Sequence, residues 1–198
     1  MRLDFDPVGH EYRLNGAIVP SVTQLLRPLI EDALGRIPPA ILERKTAIGR
    51  AVHLATELID AGSLDESSVD PSCLGYLDAY REFLSDESPV WAMSETPLAH
   101  PTWRYAGTLD RFGELRGNDC TVDIKTVLEL HPSIGVQTAA YDLLRQHAHG
   151  TDKPAARFAL QLKPGGTYSL HEYKDPNDLR VFMSLLSIHH WRSRHGNQ

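Results

Sequence analysis

Cysteine is nearly missing from this chain: its 198 residues include two, Cys73 and Cys120. Two thiols build neither a disulfide scaffold nor a four-cysteine zinc or iron–sulfur site. No apolar run reaches transmembrane length. The opening MRLDFDPVGHEY lacks the basic-then-apolar pattern of a signal peptide, so the expectation is a cytoplasmic protein with no membrane partner. Internal repeats and low-complexity tracts are missing too. A G-x-x-x-x-G-K-[ST] phosphate loop is missing as well, so no attached ATPase motor is expected. Basic residues are in deficit, 20 against 26 acidic, a formal net charge of −6. That deficit argues against coating nucleic acid by bulk charge, yet suits a carboxylate-rich cleft that holds a divalent metal. What is present is an ordinary globular mixture, 41% hydrophobic and 23% charged, of a length that suits one domain.

The elements read as ββ-ααα-βββ-α-ββ-α, a mixed α+β sheet flanked by helices. Asn15-Gly16 between alternating runs predicts a hairpin of 10–14 and 17–19. Ser21 with Gln24 forms a capping box for a helix that is expected to bend or stop near Pro28. Pro39 opens a longer helix ending at Gly62, with Ile41, Ile48, Val52, Ala55 and Ile59 as its apolar stripe. A third helix covers 72–84, with Cys73, Leu77, Tyr80 and Leu84 inward. Strands follow at 90–96, 104–115 and 120–127, the last two joined by the turn Arg116-Gly117-Asn118-Asp119. A helix over 133–147 stopped by Gly150, a hairpin of 157–162 and 167–173 around Pro164-Gly165-Gly166, and a helix from Pro176 to about Arg192 complete the chain.

Four local patterns carry chemistry. In Thr121-Val122-Asp123-Ile124-Lys125-Thr126, strand alternation puts Asp123 and Lys125 on one face and Val122, Ile124 and the Thr126 methyl on the other. Such a pair reads either as an exposed edge-strand ion pair or as a site in which the carboxylate holds Mg²⁺ or Mn²⁺ and the ammonium acts on water or phosphate. Asp110 stands thirteen residues upstream. If the two strands pair antiparallel, Asp110 and Asp123 are neighbours whose charges repel unless a cation lies between them. Gly49, His53 and Glu57 share a helix face, with Gly49 open to another backbone and His53 either a metal ligand or a boundary residue. Gln137 and Tyr141, at i and i+4, offer an amide and a phenol to phosphate oxygens, or form a plain surface pair. Arg36, Arg44, Lys45 and Arg50, and again Arg180, Arg192 and Arg194, form basic clusters that read as a solvated face or as a DNA track. His189, His190 and His195 read as surface residues.

In order, Gly49-x-x-x-His53, Gly107-x-x-Asp110, Asp123-x-Lys125 and Gln137-x-x-x-Tyr141 resemble the PD-(D/E)XK nuclease superfamily, in its RecB-like exonuclease branch. The segment Val19-Pro20-Ser21-Val22-Thr23 and the hairpin Ala159-Leu160-Gln161-Leu162-Lys163-Pro164-Gly165-Gly166 are similar to stand-alone phage and prophage members. The likeness runs from about His10 to Trp191. It implies a restriction-endonuclease-like core with an N-terminal hairpin. The whole of 1–198 is then a single nuclease domain, with 1–38 as hairpin and helix and 39–198 as catalytic core.

The resemblance also implies an activity: divalent-metal-dependent exonucleolytic hydrolysis of DNA, in phage or prophage recombination, repair or processing. Asp110, Asp123, His53 and the Ile124 carbonyl are the implied ligands of Mg²⁺ or Mn²⁺. Lys125 acts on water and phosphate, and Gln137 and Tyr141 shape the site and contact the DNA backbone. Glu95 and Glu57 are candidate extra carboxylates ranked below that set. No iron–sulfur cluster is expected, although relatives in this branch often carry one. The implied partners are linear DNA ends and a separately encoded recombination or single-strand-binding protein. Two other readings stand beside this one: a structure-specific endonuclease or resolvase on the same core, and a catalytically silent nucleic-acid-binding module. Metal ligation by His53 further implies that activity declines as pH falls below about 6.5, the ordinary imidazole pKa.

Overall fold

The structure is a computed structural model that describes residues 1–7 and 9–196, with the side chains of 32–34 left aside. Its elements run β1 (Leu3–Asp6), β2 (Glu11–Leu14), β3 (Ala17–Val19), α1 (Val22–Leu34), α2 (Pro39–Asp60), α3 (Leu74–Glu87), β4 (Val90–His100), β5 (Tyr105–Leu115), β6 (Asn118–Lys125), α4 (Ser133–His149), β7 (Ala156–Leu162), β8 (Tyr168–Glu172) and α5 (Asn177–His195). This is the α+β mixed sheet flanked by helices that the pattern predicts. Five strands lie in the order β4-β5-β6-β7-β8. All pairs are antiparallel except β6 and β7, which run parallel. A parallel pair needs a crossover, and α4 provides it.

The small N-terminal sheet has three strands, one more than expected. β1 pairs with β2 through Leu3↔Leu14 and Phe5↔Tyr12. Four residues ending against Pro7 are too short to announce a strand by alternation; pairing with β2 creates it. The tight turns follow their sequence signals. Asn15 and Gly16 have φ of 51° and 83°, and Arg116 and Gly117 have 53° and 76°, the left-handed pair that a two-residue hairpin requires. The second turn is thus two residues long, and β6 begins at Asn118 rather than 120.

Helix α1 corrects one expectation. The Ser21–Gln24 capping box forms, but the helix continues through Pro28 to Leu34. The bond that Pro28 cannot donate belongs to the Gln24 carbonyl. Gln24 and Pro28 are both exposed, so water can satisfy that carbonyl while Leu25 and Leu26 anchor the buried face. Helix α2 corrects another: Val52 and Ala55 are buried, whereas Ile41 at its start is exposed, because the helix meets the sheet only along its second half.

The central sheet is covered on both sides. Leu109 and Phe112 pack with Val22, Leu25 and Leu26 of α1, Val136, Ala140 and Leu144 of α4, and Phe182 and Leu186 of α5. Val122, Ile124, Leu160 and Leu162 pack with Val52 and Ala55 of α2 and Leu77, Tyr80 and Phe83 of α3. The N-terminal sheet has its own small core, Tyr12, Leu14 and Val19 against Ala99 and Ala106. It is held to β5 by the Ala106 N–H donating to the Pro20 carbonyl at 3.0 Å. β6 is therefore an interior strand. Asp123 and Lys125 are not the exposed edge pair that was one reading of their spacing.

Candidate functional site

The β5–β6 ladder ends at the pair Arg111↔Val122. Beyond it the strands part, and a side chain takes over the role of the backbone. The Asp110 carboxylate accepts a hydrogen bond from the Ile124 N–H at 2.7 Å. Next to it, Lys125 Nζ lies 2.6 Å from Asp123 Oδ2. As the sequence pattern predicts, Val122 and Ile124 enter the core beneath. The other side of Asp123 is not the solvent face that a half-buried strand suggests, however. Asp123 is 3% exposed, and Tyr141 of α4 feels its charge.

His53 reaches this point from α2. Its Nε2 donates to the Ile124 carbonyl at 3.0 Å, and its Nδ1 meets Glu95 Oε1 at 3.2 Å and Asp110 Oδ2 at 3.7 Å. His53, Glu95 and Asp110 each present a ligand atom, and these atoms lie within 4.8 Å of one another. This group could hold a metal ion. Glu95, ranked low from sequence, belongs to it, whereas Asp123 lies beside it, paired with Lys125. The signal for Glu95 is conformational. It stands in β4 at φ 42°, a left-handed backbone angle costly for a side-chain-bearing residue. Arg111 is the other residue that sequence reasoning missed. It is fully buried, and it donates to Asp60 at 2.7 Å, Glu95 at 3.1 Å, Thr56 Oγ1 at 3.0 Å and the Asp110 carbonyl at 2.7 Å. It thereby fixes Glu95 from behind.

The glycines of the motifs play different parts. A Cβ on Gly107 would stand 2.7 Å from Tyr141 Cε1, so this glycine makes room for the tyrosine. A Cβ on Gly49 would meet Thr126 Oγ1 at 3.4 Å, and this glycine lines the cleft. Gln137 Nε2 donates to the Tyr141 hydroxyl at 3.3 Å, joining the two ends of that motif. Glu57 lines the same cleft but lies outside the His53–Glu95–Asp110 group.

The charged groups act on one another. Burial raises the pKa of Asp110, His53 opposes the rise, and Glu95 adds to it. Burial likewise raises Asp123, opposed by Lys125 and reinforced by Asp110, to about 6. Burial disfavours charge on His53, but the Asp110 and Glu95 carboxylates outweigh it and push the imidazole up to about 9. It is therefore an imidazolium at neutral pH. Burial also works against the Lys125 ammonium, but Asp123 and Asp110 raise its pKa. The lysine is thus a cation and not a base. Burial, together with Asp123, keeps the Tyr141 phenol protonated.

These groups line one cleft of about 560 Å³, among them His53, Glu95, Asp110, Asp123, Lys125 and Tyr141. The fit to a metal ion can be tested on Asp123: its Oδ2 faces the Lys125 ammonium, whereas its Oδ1 is buried with no hydrogen-bond donor among the described residues. A buried carboxylate oxygen without a donor calls for a cation. Carboxylates, a carbonyl and one imidazole form an oxygen-rich donor set that could hold a metal ion.

No family model matches the chain, and no curated protein matches it. Among solved structures, the crystal structure of SSO0001 is similar at 16% identity, covering 82% of this chain and 82% of that one, with a TM-score of 0.36. The crystal structure of LHK-Exo in complex with dAMP is similar at 10% identity, covering 90% of this chain and 94% of that one, with a TM-score of 0.34. Both scores fall below 0.5, so neither likeness bears on this site's chemistry. Among the described residues, no helix is long and apolar enough to cross a membrane.

Proposed function

We propose that this protein is a divalent-metal-dependent deoxyribonuclease of the PD-(D/E)XK type, a RecB-like exonuclease that hydrolyses phosphodiester bonds at linear DNA ends. In this reading the chain forms one nuclease domain. The observation that carries it is the convergence of His53, Glu95, Asp110, Asp123 and Lys125 at the open end of the β5–β6 ladder, inside one cleft.

Asp110, Asp123, Glu95, His53 and the Ile124 carbonyl are the groups that would hold Mg²⁺ or Mn²⁺. Bound there, the ion would lower the pKa of a coordinated water and offset charge on a phosphoryl oxygen. Lys125 is held as an ammonium by Asp123. It orients the attacking water and stabilises negative charge growing on the scissile phosphate, instead of taking a proton. The Tyr141 hydroxyl, steadied by Gln137, donates to a phosphate oxygen. Arg111 holds Glu95 in place.

Digestion of linear, covalently closed circular and single-stranded DNA with Mg²⁺, Mn²⁺ or EDTA tests the proposal. Linear DNA is degraded with metal, circles survive, and EDTA stops the reaction. Rapid linearisation of supercoiled circles would favour the endonuclease reading. Binding of DNA without hydrolysis under any metal would favour the silent module.

A further inference from the structure

The N-terminal sheet does more than cap the fold, because it supplies part of the cleft wall. Phe5, His10 and Tyr12 line the cleft together with Asp110 and Asp123. The Phe5 and Tyr12 rings are stacked, 4.5 Å apart and 22° from parallel. His10 stands edge-on to both, at 5.7 and 5.6 Å. Tyr12 is buried behind, while Phe5 is half-buried and His10 exposed. The cluster is tied to the strand that carries the site. The Tyr12 hydroxyl and Thr108 Oγ1 are hydrogen-bonded at 2.7 Å, and Thr108 precedes Asp110 by two residues on β5. His10 itself is held in a left-handed conformation at φ 48°. Partial desolvation, with the Arg50 guanidinium adding to it, lowers the His10 pKa, which favours the neutral, aromatic form of the ring.

We propose that Phe5, walled edge-on by His10, forms a stacking platform for an unpaired nucleobase whose phosphate lies at the Asp110–Asp123 end of the cleft. The substrate class is therefore single-stranded nucleic acid or a frayed duplex end. The inference rests on the reading of the cleft as a nuclease site and adds its strand preference. Three features support it. A cleft of about 560 Å³ is in the range that takes a ligand the size of a nucleotide. Every base has a π face, so an aromatic ring binds it without reading sequence. From α2, Arg50 and Thr46 also line the cleft, a cation and a hydroxyl of the kind that meets a phosphate backbone.

The test uses short single-stranded oligonucleotides with 2-aminopurine at the 5′ or the 3′ terminal nucleotide, titrated with the intact protein in EDTA. Stacking on the platform quenches the fluorescence of at least one of the two, and a blunt duplex with the same label is not quenched. Phe5→Leu, which keeps an apolar side chain in the small core, weakens this binding roughly five- to hundredfold, the span of one base stacked on one ring. Phe5→Trp restores it. With metal added, an oligonucleotide with an abasic end nucleotide is cut more slowly than its intact counterpart, and Phe5→Leu abolishes that difference. Absence of quenching at both ends, or equal binding by wild type and Phe5→Leu at unchanged thermal stability, overturns the platform. Quenching that depends on Phe5 but is followed by no hydrolysis under any metal overturns the nuclease reading and leaves the platform standing.

Discussion

The Asp110 carboxylate occupies the place of a missing backbone acceptor, taking the Ile124 N–H at 2.7 Å where β5 and β6 separate. One side chain thus ends a sheet ladder and presents negative charge to a cleft. These two roles separate by substitution. Asp110→Asn keeps an amide oxygen for the Ile124 N–H and sheds a buried charge that is repelled by Glu95 but attracted by His53 and Lys125, so its melting temperature should stay near that of wild type in the absence of metal. Asp110→Ala leaves a buried donor unpaired, at a cost of about 1–3 kcal/mol, and should melt lower than the asparagine variant. Both should lose metal-dependent cleavage. Thermal melts of the three proteins in EDTA check the ordering.

Lys125, partly exposed, and the buried Asp123 form an ion pair. Removing one member of a fully buried pair costs about 3–5 kcal/mol, and the loss here is smaller because Lys125 is partly exposed and Asp123 can take up a proton. Lys125→Ala should therefore be destabilised at neutral pH, and less so near pH 5, where Asp123 is protonated, since its pKa is already about 6 with the lysine present. Its affinity for Mn²⁺ should hold or rise, because a competing cation is gone, while cleavage falls by about a hundredfold or more. Calorimetric titration with Mn²⁺ beside a cleavage assay reads both.

His53 moves the expected pH dependence. An unperturbed imidazole would titrate near 6.5, but here the carboxylates of Asp110 and Glu95 raise it to about 9 against the opposition of burial. In the metal-free protein the folded state therefore holds its proton more tightly than the unfolded chain. The resulting stabilisation is complete below pH 6.5 and is lost as pH rises through 9. Melting temperatures of wild type measured in EDTA from pH 6 to pH 9.5 should fall more steeply than those of His53→Gln. A metal ion must displace that same proton, so Mn²⁺ affinity should climb with pH across this window.

Glu95 should matter as much to metal binding as Asp110 does, because its carboxylate shares the group with His53 and Asp110. Glu95→Gln should lower Mn²⁺ affinity to an extent comparable with Asp110→Asn. Glu57→Gln, in the same cleft but outside that group, should change it little. Metal titrations of the three variants compare them.

How far the site could be read in advance depends on how local each signal is. Asn15-Gly16, Ser21 with Gln24, and the alternation through Val122, Asp123, Ile124 and Lys125 are decided by neighbouring residues, and the structure agrees with each. The burial of Asp123 is a different matter, since it depends on α4, whose Tyr141 passes close because Gly107 has no side chain. The role of Glu95 depends on a left-handed backbone angle and on Arg111, a buried cation that no spacing rule identifies. Likewise β1 exists only by pairing with β2. The aromatic wall of Phe5 and His10 was hidden for the same reason.

The central claim is that the cleft around Asp110 and Asp123 hydrolyses DNA with a divalent ion. Its most direct test is the release of nucleotides from end-labelled linear DNA by wild type and Asp123→Ala, each with Mn²⁺ and with EDTA. The account predicts release only by wild type with Mn²⁺. Equal release by Asp123→Ala with Mn²⁺, or by wild type in EDTA, would contradict it.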